Sequence, residues 1–318
     1  MATLVTGGLG YIGSSFCIQL KYSTDKQIIV VDNVDNFKVR SQLEDDNIIC
    51  IIGDICDKSC MSTIFSDYPI KYVVHFAALK SVPDSIKHPT LYYNNNVGGL
   101  MNLLTCMQDA NVNNVIFSSS ATVYGNNQNN VSEDSETGKN ITNPYGMTKY
   151  IGEQLLIDIC KHTNINAIIL RYFNPVGIMC FSADTFPNSG SLMGNIYSCV
   201  EQNKPISIFG NTYETDDGTC LRDFIHLEDL ISGHIHALSF LKSSQFCDVE
   251  NGYEIFNLGT GVPTSVLQLI YAYTEKLEQT IEIEYKEKRE GDIAISYCNP
   301  EKALRLLDWT ARKTIEDI

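Results

Sequence analysis

Positive charge is scarce in this chain. Its 318 residues carry 23 Lys and Arg against 38 Asp and Glu, a formal net charge of −15. Phosphate backbones demand a basic face, so no nucleic-acid partner is expected. Long apolar runs are missing as well: none approaches the ~18 residues of a membrane span, and no signal peptide precedes Leu4. The expectation is a cytoplasmic protein with no membrane partner. Metal-ligand spacing is also lacking. The eleven cysteines are scattered, and the closest pair, Cys56 and Cys60, has no second pair or His beside it. No metal is expected, and the thiols read as small core or surface groups in a reducing compartment. The sequons at Asn130 and Asn140 then carry no weight.

Apolar residues make up 44% of the chain, enough for a full core. The length allows two packed units or one large α/β domain with an elaborated end. An apolar run ends at Val5, and an amphipathic stretch over residues 11–20 reads as a helix. Between them stand Gly7, Gly10 and Gly13. A dinucleotide pyrophosphate needs that spacing: one glycine for a tight turn, one for close backbone approach, one so the helix lies against the strand. The helix start, Tyr11 and Ile12 included, then offers free N–H groups and a positive dipole end to the phosphates. A second apolar strand, residues 27–31, ends at Asp32, beside Asn33. A carboxylate there accepts both ribose hydroxyls of an adenosine and repels a 2′-phosphate, which favours NAD, although Lys38 and Arg40 follow closely.

Further apolar runs at 47–52, 71–76, 115–119 and 167–170 alternate with helical patterns. This predicts an α/β fold: a Rossmann-type doubly wound parallel sheet with helices on both faces and ligands at the carboxyl ends of its strands. The rhythm loosens near residue 174. The expected division is a NAD-binding domain over 1–173 and a smaller α/β substrate lobe over 174–318, some of whose segments pack back on the first.

Tyr145 and Lys149 lie four residues apart after Asn143-Pro144, at the start of a helical segment, so their side chains share a face. Free tyrosine is a poor base at neutral pH. A neighbouring ammonium and an oxidised nicotinamide ring would favour the phenolate and bring its pKa toward the working range. Tyr22 and Lys26 repeat the spacing, but only Tyr145 follows the Ser118-Ser119-Ser120 strand end, so the earlier pair is assigned to a surface helix end.

Tyr-x-x-x-Lys, the upstream serine and the glycine triplet together resemble the extended short-chain dehydrogenases/reductases. Longer runs resemble the UDP-glucose (UDP-galactose) 4-epimerase family within them. They are Val5-Thr6-Gly7-Gly8-Leu9-Gly10-Tyr11-Ile12-Gly13-Ser14, His75-Phe76-Ala77-Ala78-Leu79-Lys80, Phe117-Ser118-Ser119-Ser120-Ala121-Thr122-Val123-Tyr124-Gly125, Leu170-Arg171-Tyr172-Phe173-Asn174-Pro175-Val176-Gly177, the run from Asp217 to His226, and Arg289-Glu290-Gly291-Asp292.

The resemblance implies a reaction. Tyr145 would take the proton of the sugar 4-hydroxyl while NAD accepts hydride from C4; Ser120, with Thr122, would hold the oxygen, and Lys149 the nicotinamide ribose. The 4-keto sugar would rotate and take the hydride back on its other face, interconverting UDP-glucose and UDP-galactose. Asp54 and Ile55 would meet the adenine, and Phe76, Ala77, Ala78, Lys80, Asn95 and Phe173 would line the rest of the cofactor site. Lys80, Ser120, Tyr145, Asn174, Ser191, Leu192, Ser207, Phe209, Arg222, Arg289, Asp292 and Ser296 would form the substrate site, with the two arginines meeting the diphosphate. The family also implies a homodimer.

Plainer readings stand beside these: Arg222 as a surface arginine paired to Asp223 or Asp229, Phe209 as packing, His75 as a satisfied core histidine. The chain departs from the family at Ser191, where Asn is frequent. It departs again at Ser296, where some members carry a tyrosine that narrows the pocket near the sugar 2-position; a serine there predicts turnover of UDP-GlcNAc and UDP-GalNAc too. It stops at Ile318, about one helix before the family's usual end. A nucleotide-sugar 4,6-dehydratase shares scaffold and cofactor, but its acidic pair is replaced by Ala121-Thr122, with no carboxylate to protonate a leaving hydroxyl. A non-catalytic NAD or sugar sensor would keep the fold without needing both Tyr145 and Lys149.

Overall fold

Near-continuous burial along the central strands sets the architecture. In the computed structural model residues 1–23, 26–126, 129–177, 192–289 and 291–318 are described. The first half runs β1 (Ala2–Thr6), α1 (Tyr11–Ser23), β2 (Gln27–Asp32), α2 (Phe37–Leu43), β3 (Ile48–Ile52), α3 (Lys58–Asp67), β4 (Ile70–His75), α4 (Val82–Lys87), α5 (Pro89–Tyr92), α6 (Gly99–Asp109), β5 (Asn114–Ser120), α7 (Pro144–His162) and β6 (Asn166–Tyr172). The second runs β7 (Asn174–Val176), α8 (Leu192–Glu201), β8 (Ile206–Phe209), β9 (Leu221–His226), α9 (Leu227–Lys242), β10 (Tyr253–Leu258), β11 (Pro263–Ser265), α10 (Val266–Lys276), β12 (Ile283–Lys286), β13 (Ile295–Ser296) and α11 (Glu301–Leu307).

Seven strands form one parallel sheet in the order β10-β6-β5-β4-β1-β2-β3. Successive strand residues point to opposite faces, and each face has its own core. Val5, Val30, Val74, Ile116 and Ile168 pack with Phe16 and Leu20 of α1 and with α9. Their neighbours Leu4, Ile29, Val31, Val73, Val115 and Ile169 pack with Met61, Leu100, Leu103 and Leu156 from α3, α6 and α7. The doubly wound α/β sheet is therefore present, and its order reverses between β1 and β4, where a crevice opens at the strand carboxyl ends.

Strand β10 returns from the second half to pair with β6 as the sheet edge. The remaining strands build the smaller α/β lobe: β9 pairs with β7, β11 and β13, and β8 pairs with β12, over a core of Ile196, Ile208, Phe224, Leu269 and Ile270. Among the described residues no helix is long and apolar enough to cross a membrane.

Candidate active site

The glycines bring the backbone together where the strand order reverses. Gly7 has φ +69°, and a Cβ on it would stand 2.6 Å from the Ala77 nitrogen at the end of β4. A Cβ on Gly13 would stand 2.3 Å from the Gly7 carbonyl, so α1 meets the β1 turn only without a side chain there. On Gly10 it would meet the same carbonyl at 3.3 Å. This is a cradle that closes if any large group is added.

Asp32 ends β2 with one carboxylate oxygen accepting from the Leu9 N–H at 3.0 Å and the other from the Val34 N–H at 3.1 Å. Burial raises its pKa, opposed by these N–H bonds. Asn33 is exposed beside it. Arg40 is tied to Asp35 at 2.9 Å, leaving less of its charge to recruit a 2′-phosphate. Asp54 caps its own turn through the Cys56 N–H, and Ile55 is buried against Gly99. Ala77, Ala78 and Asn95 are half-buried, Lys80 is exposed, and the Phe76 ring packs on Phe16 and His234 at 5.4 and 5.0 Å. Phe173 is buried with Ala121, Val123 and Tyr124. Tyr11 donates its hydroxyl proton to the Gly177 carbonyl, fastening α1 to the entry of the smaller lobe. Ile12 packs with the α1 core.

Helix α7 carries the expected Tyr145 and Lys149. Asn143 caps it by accepting from the Gly146 N–H at 2.9 Å, and Pro144 fills the first position, where no N–H is needed. Tyr145 thus sits in the first turn, hydrogen-bonded to Ser120 at the end of β5. Ser120 also accepts from the Thr122 hydroxyl at 3.0 Å and its N–H at 3.3 Å. One turn on, the Lys149 ammonium donates to the Ser118 carbonyl at 2.6 Å and lies 6.0 Å from the centre of the Tyr145 ring. Burial acts on both groups: it pushes the Tyr145 phenol up to about 12 and the Lys149 ammonium down to about 7. The protein's own groups therefore favour the phenol, not the phenolate: desolvation outweighs the Ser120 hydrogen bond, which acts the other way.

Three partners of this site gave no sequence signal of their role. Asn96 clamps Leu79 through both its N–H and its carbonyl and donates to Thr148 of α7 at 3.0 Å. Tyr172 is buried between Ser118 and His234. Glu153, on the same face of α7 as Tyr145 and Lys149, is fully buried and paired with Arg171. Its spacing of four residues from Lys149 and eight from Tyr145 puts it on that face, but a helical glutamate ordinarily faces water, so the spacing alone gave it no role.

In the smaller lobe Arg222 donates to the Leu221 and Ile293 carbonyls at 2.8 and 2.9 Å and lies 3.8 Å from Asp292. Its pairing with Asp223 or Asp229 is not what the fold makes. Asp223 is buried and accepts from Thr260 and Gly261 instead, and Asp229 from Arg312 and Lys313 backbone N–H groups. The Arg289 guanidinium covers the Phe209 ring at 3.7 Å. Arg222, Arg289 and Asp292 all act on the Tyr213 phenol, so they converge on one place. Ser296 pairs in register with Arg222 and is buried. Ser207 is half-buried on β8, Leu192 opens α8 against the lobe core, and Asn174 is exposed at the start of β7. Ser191 lies outside the described residues. His75 is a satisfied core histidine, its Nδ1 2.6 Å from the Thr6 hydroxyl, and Tyr22 is exposed on the surface.

A glycine cradle at the sheet reversal, a carboxylate ending β2 and a Ser-Tyr-Lys cluster opposite fit a dinucleotide over a reacting alcohol. Comparison with known proteins agrees. The NAD dependent epimerase/dehydratase family model matches residues 3–259. A Haemophilus influenzae UDP-glucose 4-epimerase is 40% identical over 99% of this chain and 94% of its own. The human UDP-glucose 4-epimerase is 37% identical over 97% and 91%. A Stenotrophomonas maltophila UDP-glucose-4-epimerase, solved with bound NAD and formylated UDP-arabinopyranose, superposes with a TM-score of 0.89 at 36% identity, covering 100% and 95%.

Proposed function

The chain belongs to the NAD dependent epimerase/dehydratase family, and from that premise we propose how its residues divide the work. Its activity is the NAD-dependent interconversion of UDP-glucose and UDP-galactose, an isomerisation. The observation that carries the assignment of roles is the hydrogen-bonded Ser120–Tyr145 pair with Lys149 one turn away, at the carboxyl end of β5.

Gly7, Gly10 and Gly13 would admit the pyrophosphate, Asp32 would take the adenosine ribose, and Asp54 and Ile55 would flank the adenine. Bound NAD supplies the acceptor for hydride from C4 and a positive ring beside the phenol. Tyr145 then removes the 4-hydroxyl proton, with Ser120 and Thr122 holding the oxygen, and returns it after the 4-keto sugar has turned over. Because the cycle leaves the cofactor as it began, NAD stays bound as a prosthetic group. Arg222 and Arg289 neutralise the diphosphate in an otherwise acidic protein. For the uracil to stack on Phe209, the Arg289 guanidinium must leave that ring face, exchanging a cation–π contact for a phosphate partner.

Buried Ser296 beside Arg222 supports a pocket open to N-acetylated sugars; a similar solved protein is a Campylobacter jejuni UDP-Glc/GlcNAc 4-epimerase, 31% identical with a TM-score of 0.81 over 99% of this chain. Exposed Ile86, Leu91 and Met101 on α4, α5 and α6 support a homodimer through that face. The proposed location is the cytoplasm. The test is incubation of purified protein with UDP-galactose and no added cofactor. UDP-glucose should form, and Tyr145→Phe should lose most of the conversion; an unaffected variant overturns the role given to Tyr145.

A further inference from the structure

Three consecutive serines at the end of β5 each engage one residue of α7. Ser118 takes Lys149 through its carbonyl at 2.6 Å, Ser119 donates its hydroxyl proton to Glu153, and Ser120 bonds Tyr145. Tyr145, Lys149 and Glu153 are spaced by four, so they form one stripe along the helix facing the sheet. Glu153 has no access to solvent, and its carboxylate takes two bonds from Arg171 of β6, from Nε at 3.0 Å and from an NH2 group at 2.7 Å. Arg171 is 3% exposed and pairs in register with Ser119 on one side and Asn257 of β10 on the other. Its remaining nitrogen donates to the Tyr124 hydroxyl at 2.9 Å and the Glu133 carbonyl at 3.2 Å, and Tyr124 in turn donates to Asn257 at 2.7 Å. The ion pair therefore stands behind the catalytic turn, tied to β5, β6 and β10, without reaching the cleft.

We propose that the Glu153–Arg171 pair is the positioning element of the reaction: it locks α7 onto the ends of β5 and β6, and the Glu153 carboxylate keeps the Lys149 ammonium charged in a dry site. The inference rests on the roles given to Tyr145 and Lys149 above. A buried ion pair by itself adds little stability, so its retention beside the chemistry calls for another reason. Lys149 needs one. Burial loosens its proton, and a positive nicotinamide ring nearby would loosen it further. Around it stand Tyr145 and Glu153 from α7, Ser118 and the Phe117 ring from β5, and His75 from β4; Tyr172 of β6 reaches Ser118, and Tyr92 faces Tyr145. His75 is held neutral, its pKa near 3, and the tyrosines are uncharged. Glu153 is the carboxylate that acts on Lys149, and it raises the ammonium's hold on its proton.

The variant Glu153→Gln/Arg171→Gln removes both charges without stranding either. Its holoenzyme, checked for retained NAD, is compared with wild type in the pH dependence of kcat and of KM for UDP-galactose. The expected result is an alkaline limb of kcat lowered by roughly one pH unit, with KM little changed. A merely structural role would lower kcat equally at every pH, and a superimposable profile overturns the proposal. Should the double variant not fold, Glu153→Asp withdraws the carboxylate by one methylene while keeping both charges. A smaller downward shift of the same limb is then expected, and no shift overturns the proposal. Absence of conversion by wild type would instead refute the epimerase reading itself, so the two failures are distinct.

Discussion

At the level of single residues, desolvation governs the site more than pairwise charge does. It holds Tyr145 protonated, loosens the Lys149 proton and keeps His75 and His234 neutral, their pKa values near 3 and 4. The histidines give a stability prediction with a definite sign. A histidine whose folded pKa lies below its unfolded value of 6.5 binds its proton preferentially in the unfolded chain. Stability is then lost as pH falls from about 6.5 toward 3, and His75 alone accounts for about 2 kcal/mol by pH 5. Urea titrations at pH 7 and pH 5 should show a drop in wild type that shrinks by about that amount in His75→Asn. An equal drop in both contradicts the assignment. Ser296 carries a specificity prediction. A tyrosine would fill the space beside Arg222, so Ser296→Tyr should lower kcat/KM for UDP-GalNAc about tenfold or more while sparing UDP-galactose, since a blocked pocket costs upward of 1 kcal/mol. Unchanged N-acetyl turnover contradicts it.

Elements show which parts of the structure local sequence could reveal. Short apolar runs and 3.6-residue patterns, the glycine triplet and the Asn143-Pro144 start of α7 are local signals, and each stands within a few residues of its expected place. Tyr145, Lys149 and Ser120 were legible because helix spacing and strand-end position are both read along the chain. The return of β10 to the sheet edge, the Asn96 clamp and the Glu153–Arg171 pair were not, because they join residues 17 to 86 positions apart and no local pattern encodes them. The glycine cradle is testable at this scale. Gly13→Ala forces a Cβ onto the Gly7 carbonyl, so α1 must move off the β1 turn. A cost of about 2 kcal/mol is expected, roughly 3 °C in Tm for a chain of this length, together with loss of bound NAD on purification. Full NAD content at unchanged Tm would mean that close approach is not what Gly13 serves.

On the scale of the molecule, the smaller lobe gathers Arg222 and Arg289 near Tyr213, with Asp292 beside Arg222, in a chain whose net charge is −15. If the α4–α6 face is a dimer interface, sedimentation should find twice the 35.5 kDa chain mass, and Met101→Glu should shift it to the monomer. A monomeric wild type contradicts that proposal. The central claim is that one hydrogen leaves C4 as hydride, waits within the protein and returns to the same carbon. Conversion of UDP-galactose in deuterated water, followed by NMR of the product, reads this directly. The account predicts UDP-glucose with no deuterium at C4, whereas solvent deuterium at that carbon would contradict it.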